Sequence, residues 1–242
     1  MQKNYFNIPG YFYEWDENHG HKSHQFFYKS RNKFLVEFSG IKPGDRVIDI
    51  GCGSGVISRK IAKEIACSVV GVDLSIESVK YAKGAAKREG LKNADFVAVD
   101  VADLKSKGKF DVAIFSHTIE HIGDPAGALC AIRTVLKKGG RLIVVTPNYH
   151  SPWPLAELVS DKTMAPSWYS IREQHISRLT HKSLIKLVKE AGFEIVDDGT
   201  LYLVSLPASV FSQRLANLAF ELDKKLFKLP FGMASYVKAV NS

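Results

Sequence analysis

The stretch "VIDIGCGSG", residues 47–55, decides the fold of this chain. Its first half belongs to "RVIDI" (46–50), a short apolar run of the kind that fills a buried strand. Its second half places glycine at 51, 53 and 55. Alternating glycines let the backbone turn sharply and let a ligand approach with no Cβ in the way. Past the turn, Ile57, Ile61 and Ile65 recur at helical spacing. The start of that helix offers unpaired N–H groups to a negatively charged partner. A strand, a glycine turn and a helix in this order predict an α/β protein with a ligand site at the turn.

Outward from there the alternation continues. "SVVGVD" (68–73) reads as the next strand, followed by a lysine-rich helix near 76–89. "ADFVAVD" (94–100) and "FDVAIF" (110–115) are further strands. Asp124 caps a helix with Pro125 at its first position, running to about Leu136, and "GGRLIVVTP" (139–147) is a strand. Residues 148–180 follow Pro147 and hold Pro152, Pro154 and Pro166 with Trp153, Trp168 and Tyr169, and read as an irregular insertion with at most one or two short helices. Thr180 caps a helix carrying Leu184, Ile185, Leu187 and Val188 that stops at Gly192. "FEIVDDGTLYLVSL" (193–206) is strand-like, 208–229 is helical, and "ASYVKAVN" (234–241) alternates as a final strand. This pattern predicts an α/β, Rossmann-like, doubly wound and mostly parallel sheet covered on both faces, in one domain spanning 1–242.

Two further acids narrow the ligand. Asp73 ends the second strand, where a carboxylate can accept both hydroxyls of a ribose, and Asp100 ends the third, within reach of an adenine amino group. A dinucleotide site wants a small residue where this chain has Val56. Asp49, just before the first glycine, would repel a pyrophosphate but can pair with a cationic amino group. That asymmetry favours a ligand with an amino-acid end and an adenosine end.

These residues resemble the class I S-adenosylmethionine-dependent methyltransferases, over roughly residues 30–200. "DIGCGSG", "VVGVDLS", "VAVDVADL", "FDVAIFSHTIEHIGDP" and "LKKGGRLIVVTPN" are similar to that family's five motifs in order. The resemblance implies a seven-stranded sheet whose last strand, "ASYVKAVN", is antiparallel and slotted between others. It implies S-adenosyl-L-methionine as cofactor and S-adenosyl-L-homocysteine as product. It also implies a cofactor site made of Arg31, Asp49, Gly51, Cys52, Gly53, Gly55, Asp73, Leu74, Asp100, Val101 and Ser116.

"FSHTIEH" (115–121) follows the fourth strand. Within the family it is most similar to the type 11 and ubiquinone-biosynthesis O-methyltransferases, which carry an E-x-x-E-H stretch proposed to bind a divalent metal. Here His117 stands where the first glutamate would be, with Glu120 and His121 retained. Imidazole in place of a carboxylate suits zinc or manganese better than magnesium. The same residues without metal supply a base for an acceptor hydroxyl, which histidine's near-neutral pKa favours. In a third reading Glu120 and His121 only brace the loop before "GDP". His175, in "QHISRLT" (174–180), is a further base candidate, similar to a histidine that approaches the site from the insertion in this subgroup.

The flanks bear on the acceptor. Residues 1–40 resemble the lid of family members, and Tyr11, Tyr13, Trp15 and Phe27 either line an apolar pocket or pack on the sheet. His19, His21 and His24 read as a solvated loop rather than a metal cluster. In 208–229, Phe211, Leu215, Leu218, Leu222 and Leu226 form a stripe expected to pack inward. Phe220 and Phe227, near Lys224, Lys225 and Lys228, lie on nearly the opposite face. They are expected as an exposed ridge, serving as a pocket cover, a dimer contact or an interfacial membrane helix.

Composition sets outer limits. Cys52, Cys67 and Cys130 are odd in number and scattered, which suits a reducing compartment. "MQKNYFNIPG" lacks a signal pattern, and no apolar run approaches the ~20 residues of a membrane span. The expectation is a cytoplasmic protein, peripheral at the membrane if 208–229 contacts it, monomeric or homodimeric. The net charge of +8 comes from lysines in separate places, such as Lys80, Lys83 and Lys87, or Lys105, Lys107 and Lys109, with no basic run interleaved with aromatics. Nucleic acid is thereby disfavoured. The reading is O-methylation of a small or lipid-like acceptor. Its rivals are an RNA or protein methyltransferase, against which the N/D-P-P-Y/F tetrapeptide of amino-group methylation is missing, and a non-catalytic cofactor-binding subunit.

Overall fold

The apolar runs become a seven-stranded sheet. In the computed structural model, residues 8–104, 109–164 and 169–242 are described. Lys105, Lys107, Pro166 and Trp168 lie outside them. The strands are β1 (Arg46–Ile50), β2 (Ser68–Asp73), β3 (Ala94–Ala98), β4 (Phe110–Ser116), β5 (Leu136–Pro147), β6 (Phe193–Leu201) and β7 (Ala234–Asn241). Their spatial order is β3-β2-β1-β4-β5-β7-β6. Strand β7 runs antiparallel within the sheet, as the resemblance implied; its neighbours are β5 and β6, and the remaining pairings are parallel.

Helices cover both faces. They are α1 (Phe12–His19), α2 (Lys22–Ser39), α3 (Val56–Glu64), α4 (Ile76–Arg88), α5 (Pro125–Val135), α6 (Trp153–Thr163), α7 (Ile171–Gln174), α8 (His181–Glu190), α9 (Ser205–Ser209) and α10 (Gln213–Lys225). Side-chain caps fix several starts: Asp124 accepts from Gly127 N at 2.9 Å, and Thr180 with Ser183 forms a reciprocal capping box. Along β4, Val112 and Ile114 enter the core shared with Leu35 and Ile61, while Ala113 and Phe115 enter the one shared with Leu129 and Leu184. A strand buried on both sides has no polar alternation, which is why it reads as one apolar run.

Three expectations need correction. The strand 193–206 stops at Leu201, because Tyr202 adopts a left-handed backbone (φ 70°) and α9 follows. The insertion holds two helices, as many as expected, but α6 is not short: it has eleven residues, with Pro154 in its first turn, where a missing N–H does no harm. The helix 208–229 is broken at 210–212 into α9 and α10, and its faces are reversed. Phe220 is buried against Phe26, Phe34 and Tyr202, and Phe227 packs on Phe34, Phe38 and Tyr236. Phe211, Leu215, Leu218 and Leu222 are exposed. The rings win the inward position because α2 presents Phe26, Phe34 and Phe38 to them, with Tyr202 and Tyr236 beside, and Ala216 and Ala219 are buried in the same core.

Candidate active site

The strand order reverses between β1 and β4, and open α/β sheets bind ligands in the crevice at that point. The turn after β1 holds Gly51, Gly53 and Gly55 at φ 71°, 52° and 75°. At Gly51 a Cβ would meet Thr118 Oγ1 at 2.1 Å, so only glycine lets the β1 and β4 ends come this close. A cavity of about 750 Å³ opens there, lined by both N-terminal helices, the turn and the insertion. Of the predicted cofactor residues, Arg31, Asp49, Gly51, Cys52, Gly53, Asp73, Leu74, Asp100, Val101 and Ser116 all line it. Gly55 does not. A Cβ on it would lie 2.7 Å from the Phe96 ring, so its smallness serves helix packing instead.

Charge is arranged along the cavity. Asp49 is buried beneath the turn and accepts from Ser58 Oγ at 2.6 Å, and burial pushes its pKa up to about 6. Arg31 is also buried and lies over the Tyr28 ring at 4.9 Å, with Nη2 donating to Asn32 Oδ1 at 2.9 Å. A buried carboxylate and a buried guanidinium in one cavity suit a zwitterionic amino acid. Asp73 accepts from Gly53 N and Ser75 N, each at 2.8 Å, which locks the turn to the end of β2. Each of its oxygens retains a second lone pair for a ribose hydroxyl. Asp100 follows the end of β3, which stops two residues short of it, and caps a 3₁₀ turn at Val101 by accepting from Ala102 N at 2.9 Å. Leu74 offers half-exposed apolar surface at the rim. Burial pushes the Cys52 thiol up, so it stays neutral. Ser54 Oγ and Ser116 Oγ are buried with no hydrogen-bond partner among the described residues, as expected of groups that wait for a ligand. The residues present fit S-adenosylmethionine.

The "FSHTIEH" stretch forms the other end. His117 takes a left-handed backbone (φ 52°), a strained state for a non-glycine residue, and lines the cavity. Its Nδ1 lies 3.1 Å from Glu120 Oε1, while Nε2 is buried with no hydrogen-bond partner among the described residues. Burial pushes His117 down to about 4 in spite of Glu120, so it is fully neutral at pH 7 but a weaker base than the near-neutral imidazole expected from the sequence. Burial opposes the Glu120 charge, but His117 and two neighbouring histidines outweigh it and hold its pKa at about 2. At neutral pH the pair is a neutral imidazole against an ionised carboxylate. Glu120 also accepts from Thr146 Oγ1 at 3.0 Å, and its carbonyl takes Ile176 N and Ser177 N, so it braces the insertion as well.

A second pair lies beside the first. His175 Nδ1 lies 2.5 Å from Glu157 Oε1, which also accepts from Tyr149 Oη at 2.7 Å and from Trp153 Nε1. Glu120, His121 and His175 converge, with one potential ligand atom from each within 4.8 Å of the others. His121 Nδ1 lies 3.1 Å from the Gln174 carbonyl. Metal-ligating imidazoles usually turn one nitrogen to a carboxylate or a carbonyl, and both rings do so here. Two imidazoles and one carboxylate fit zinc or manganese, with His175 rather than His117 as the third member.

Around the N-terminus, Tyr13, Phe27 and Tyr28 line the cavity, whereas Tyr11 and Trp15 do not and are about half exposed. Of the three histidines there, His19 at the end of α1 and His21 are exposed as expected, but they belong to helix ends and not to a loop. His21 caps α2, and His24 bridges Asp16 (3.0 Å) and Ser160 (3.0 Å), tying the N-terminal helices to α6. Sequence reasoning missed Tyr28, Glu157 and Ser160. The last two share a face with Trp153 at i, i+4 and i+7, and polar residues on the buried face of a helix were the available signal.

Residues 22–198 match the family whose description is "Methyltransferase domain". The chain belongs to that family. Its fold is the class I S-adenosylmethionine-dependent one. A ubiquinone biosynthesis O-methyltransferase of Cereibacter sphaeroides is 31% identical over 156 residues, 64% of this chain and 62% of that protein. The enzyme of the same name from Burkholderia pseudomallei is 27% identical over the same length, 64% of this chain and 67% of that protein. The chain thus matches about three-fifths of the first relative's length. Among solved structures, the [4+2]-cyclase SpnF superposes with a TM-score of 0.67 at 22% identity, covering 93% of this chain and 84% of that one. Geranyl diphosphate methyltransferase, in complex with GPP and sinefungin, gives 0.63 at 16% identity, covering 90% and 80%. At such identities the structural likenesses speak for the fold alone.

Proposed function

We propose that this methyltransferase transfers a methyl group from S-adenosylmethionine to a hydroxyl of a lipid-like acceptor, with His117 as the base. The observation that carries the proposal is the His117–Glu120 pair, an imidazole held neutral by burial and oriented by an ionised carboxylate at the end of β4. The cofactor supplies an electrophilic methyl group on a sulfonium. The protein's tasks are alignment of the acceptor and removal of its proton. Asp49 and Arg31 would hold the amino-acid end, Asp73 and Asp100 the adenosine end, and Glu120 would stabilise His117 once protonated. The aromatic walls from Tyr13, Phe27 and Tyr28 favour an apolar acceptor, and the similarity to ubiquinone-biosynthesis O-methyltransferases supports a hydroxyl as the acceptor group.

A metal is the second reading, favoured by the convergence of Glu120, His121 and His175. A divalent ion there would acidify the acceptor hydroxyl, and His117 would then be a neighbour rather than the base.

The test uses methyl-labelled S-adenosylmethionine with lipid, small polar, RNA and protein fractions of a cell extract. Label in the lipid fraction is expected. His117→Asn, whose side chain tolerates the left-handed backbone, should lower the rate by about 10²–10⁴-fold with cofactor affinity unchanged. At saturating cofactor, a base with a pKa of about 4 keeps the wild-type rate level from pH 8 to 6 and loses it as pH falls through 4. Label confined to RNA or protein overturns the acceptor assignment, and an unimpaired H117N variant overturns the base.

A further inference from the structure

The face of α10 that the sequence sent inward is displayed outward. Leu215, Leu218 and Leu222 follow one another at spacings of three and four, so they form one stripe, and Phe211 extends it toward α9. Phe211 is 84% exposed and Leu218 is 72% exposed. The stripe is held rigidly. On the opposite side Ala216, Ala219 and Phe220 are buried, and the buried Asp223 carboxylate accepts from Val204 N and Ser205 N at 3.0 Å, fixing the corner between α9 and α10. Soluble surfaces rarely keep a contiguous apolar ridge of this size without a use for it.

Two observations say what covers it. The first is charge. Arg214 and Lys225 are exposed and stand beside the stripe on the helical wheel. Lys22 is exposed at the start of α10, where its carbonyl accepts from Gln213 Nε2 at 2.7 Å. Glu221 is the exposed acid of this helix, and it pairs with Lys224 at 2.7 Å. The second is continuity with the cavity. Val210, adjoining Phe211, is exposed and lines the cavity, and Leu155 and Val159 of α6 are likewise exposed and line it. The apolar surface therefore runs from α10 into the cavity lining. An amphipathic helix with an apolar face and cationic flanks lies in the plane of an anionic bilayer interface.

We propose that the α10 stripe docks on an anionic membrane surface, so that a lipid-like acceptor enters the cavity directly from the bilayer. The inference rests on the proposed acceptor class for its purpose, but its test reads vesicle binding and not turnover, so the two fail separately. Full-length protein is sedimented with phosphatidylcholine vesicles and with vesicles containing phosphatidylglycerol. Binding is expected to the anionic vesicles and to weaken with salt. Phe211→Glu and Leu218→Glu should each lower partitioning by about tenfold or more, since each removes a large apolar side chain from the contact. Both side chains are exposed, so folding and S-adenosylmethionine affinity should stay at wild-type values. No binding to anionic vesicles, or binding that neither variant weakens, overturns the proposal. So does a concentration-dependent dimer in sedimentation velocity that L218E abolishes, which would make the stripe a contact between copies.

Discussion

Replacing Asp49 with asparagine tests the electrostatic reading of the cofactor cavity from two sides. The carboxyl is buried beneath the glycine turn, with Ser58 Oγ at 2.6 Å, and its pKa is raised from 3.8 to about 6. Desolvation of the charge is the main cause, so the ionised group destabilises the ligand-free fold. Two pKa units at about 1.4 kcal/mol each give a penalty of about 3 kcal/mol at neutral pH. The sign is fixed by which state holds the proton. Below pH 3.8 the carboxyl is protonated in both folded and unfolded chains and no penalty arises. Between 3.8 and about 6 the folded chain retains a proton that the unfolded chain has lost, so wild-type stability falls as pH rises. Above 6 the full penalty is present. Asparagine keeps the shape and an acceptor for Ser58 but never ionises. D49N should therefore match wild type near pH 4 and exceed it by up to about 3 kcal/mol at pH 8, or roughly 6–12 °C in melting temperature for a chain of this size. Affinity for S-adenosylmethionine should move the other way, falling by about 10–100-fold as a charge-assisted hydrogen bond to its amino group is lost. Denaturation at pH 4 and pH 8, with cofactor titration at pH 8, reads both effects. A stability difference that does not change with pH refutes the desolvation argument, and unchanged affinity refutes the amino-group assignment.

Gly51→Ala should reduce cofactor affinity by at least about tenfold and lower stability by about 1–3 kcal/mol, because φ is 71° and the new Cβ would meet Thr118 at 2.1 Å. Calorimetric titration with a melting curve checks both. Chelation separates the two readings of the acceptor end. A rate unaffected by chelator supports His117 as base, whereas a rate lost and restored by zinc or manganese, with H175A unable to recover, assigns the ion to Glu120, His121 and His175.

Much of this molecule is a local matter, and the sequence determined it. The caps at Asp124 and Thr180 and the glycine spacing at 51–55 depend on residues a few positions apart, so they are written in short words of sequence, whereas the contacts of Asp73 with Gly53 and of Gly51 with Thr118 are made by the sheet. The central strands β1 and β4 are legible because burial on both faces leaves an unbroken apolar run, whereas the edge strand β6, half exposed, ends earlier than its pattern predicts. The reversal of β7 came only through resemblance, and its place between β5 and β6 only from the fold, because pairing partners carry no local mark. Tertiary structure alone decided the rest. Whether α10 shows its leucines or its phenylalanines depends on what α2 and α9 present to it, and an amphipathic helix with apolar residues on two faces has no internal reason to choose. Likewise Glu157 and His175 are eighteen positions apart, and only the fold of the insertion closes them to 2.5 Å beside Glu120. Hydrophobic periodicity shows that a face is buried, and the neighbour that buries it is set by the packing of the whole chain.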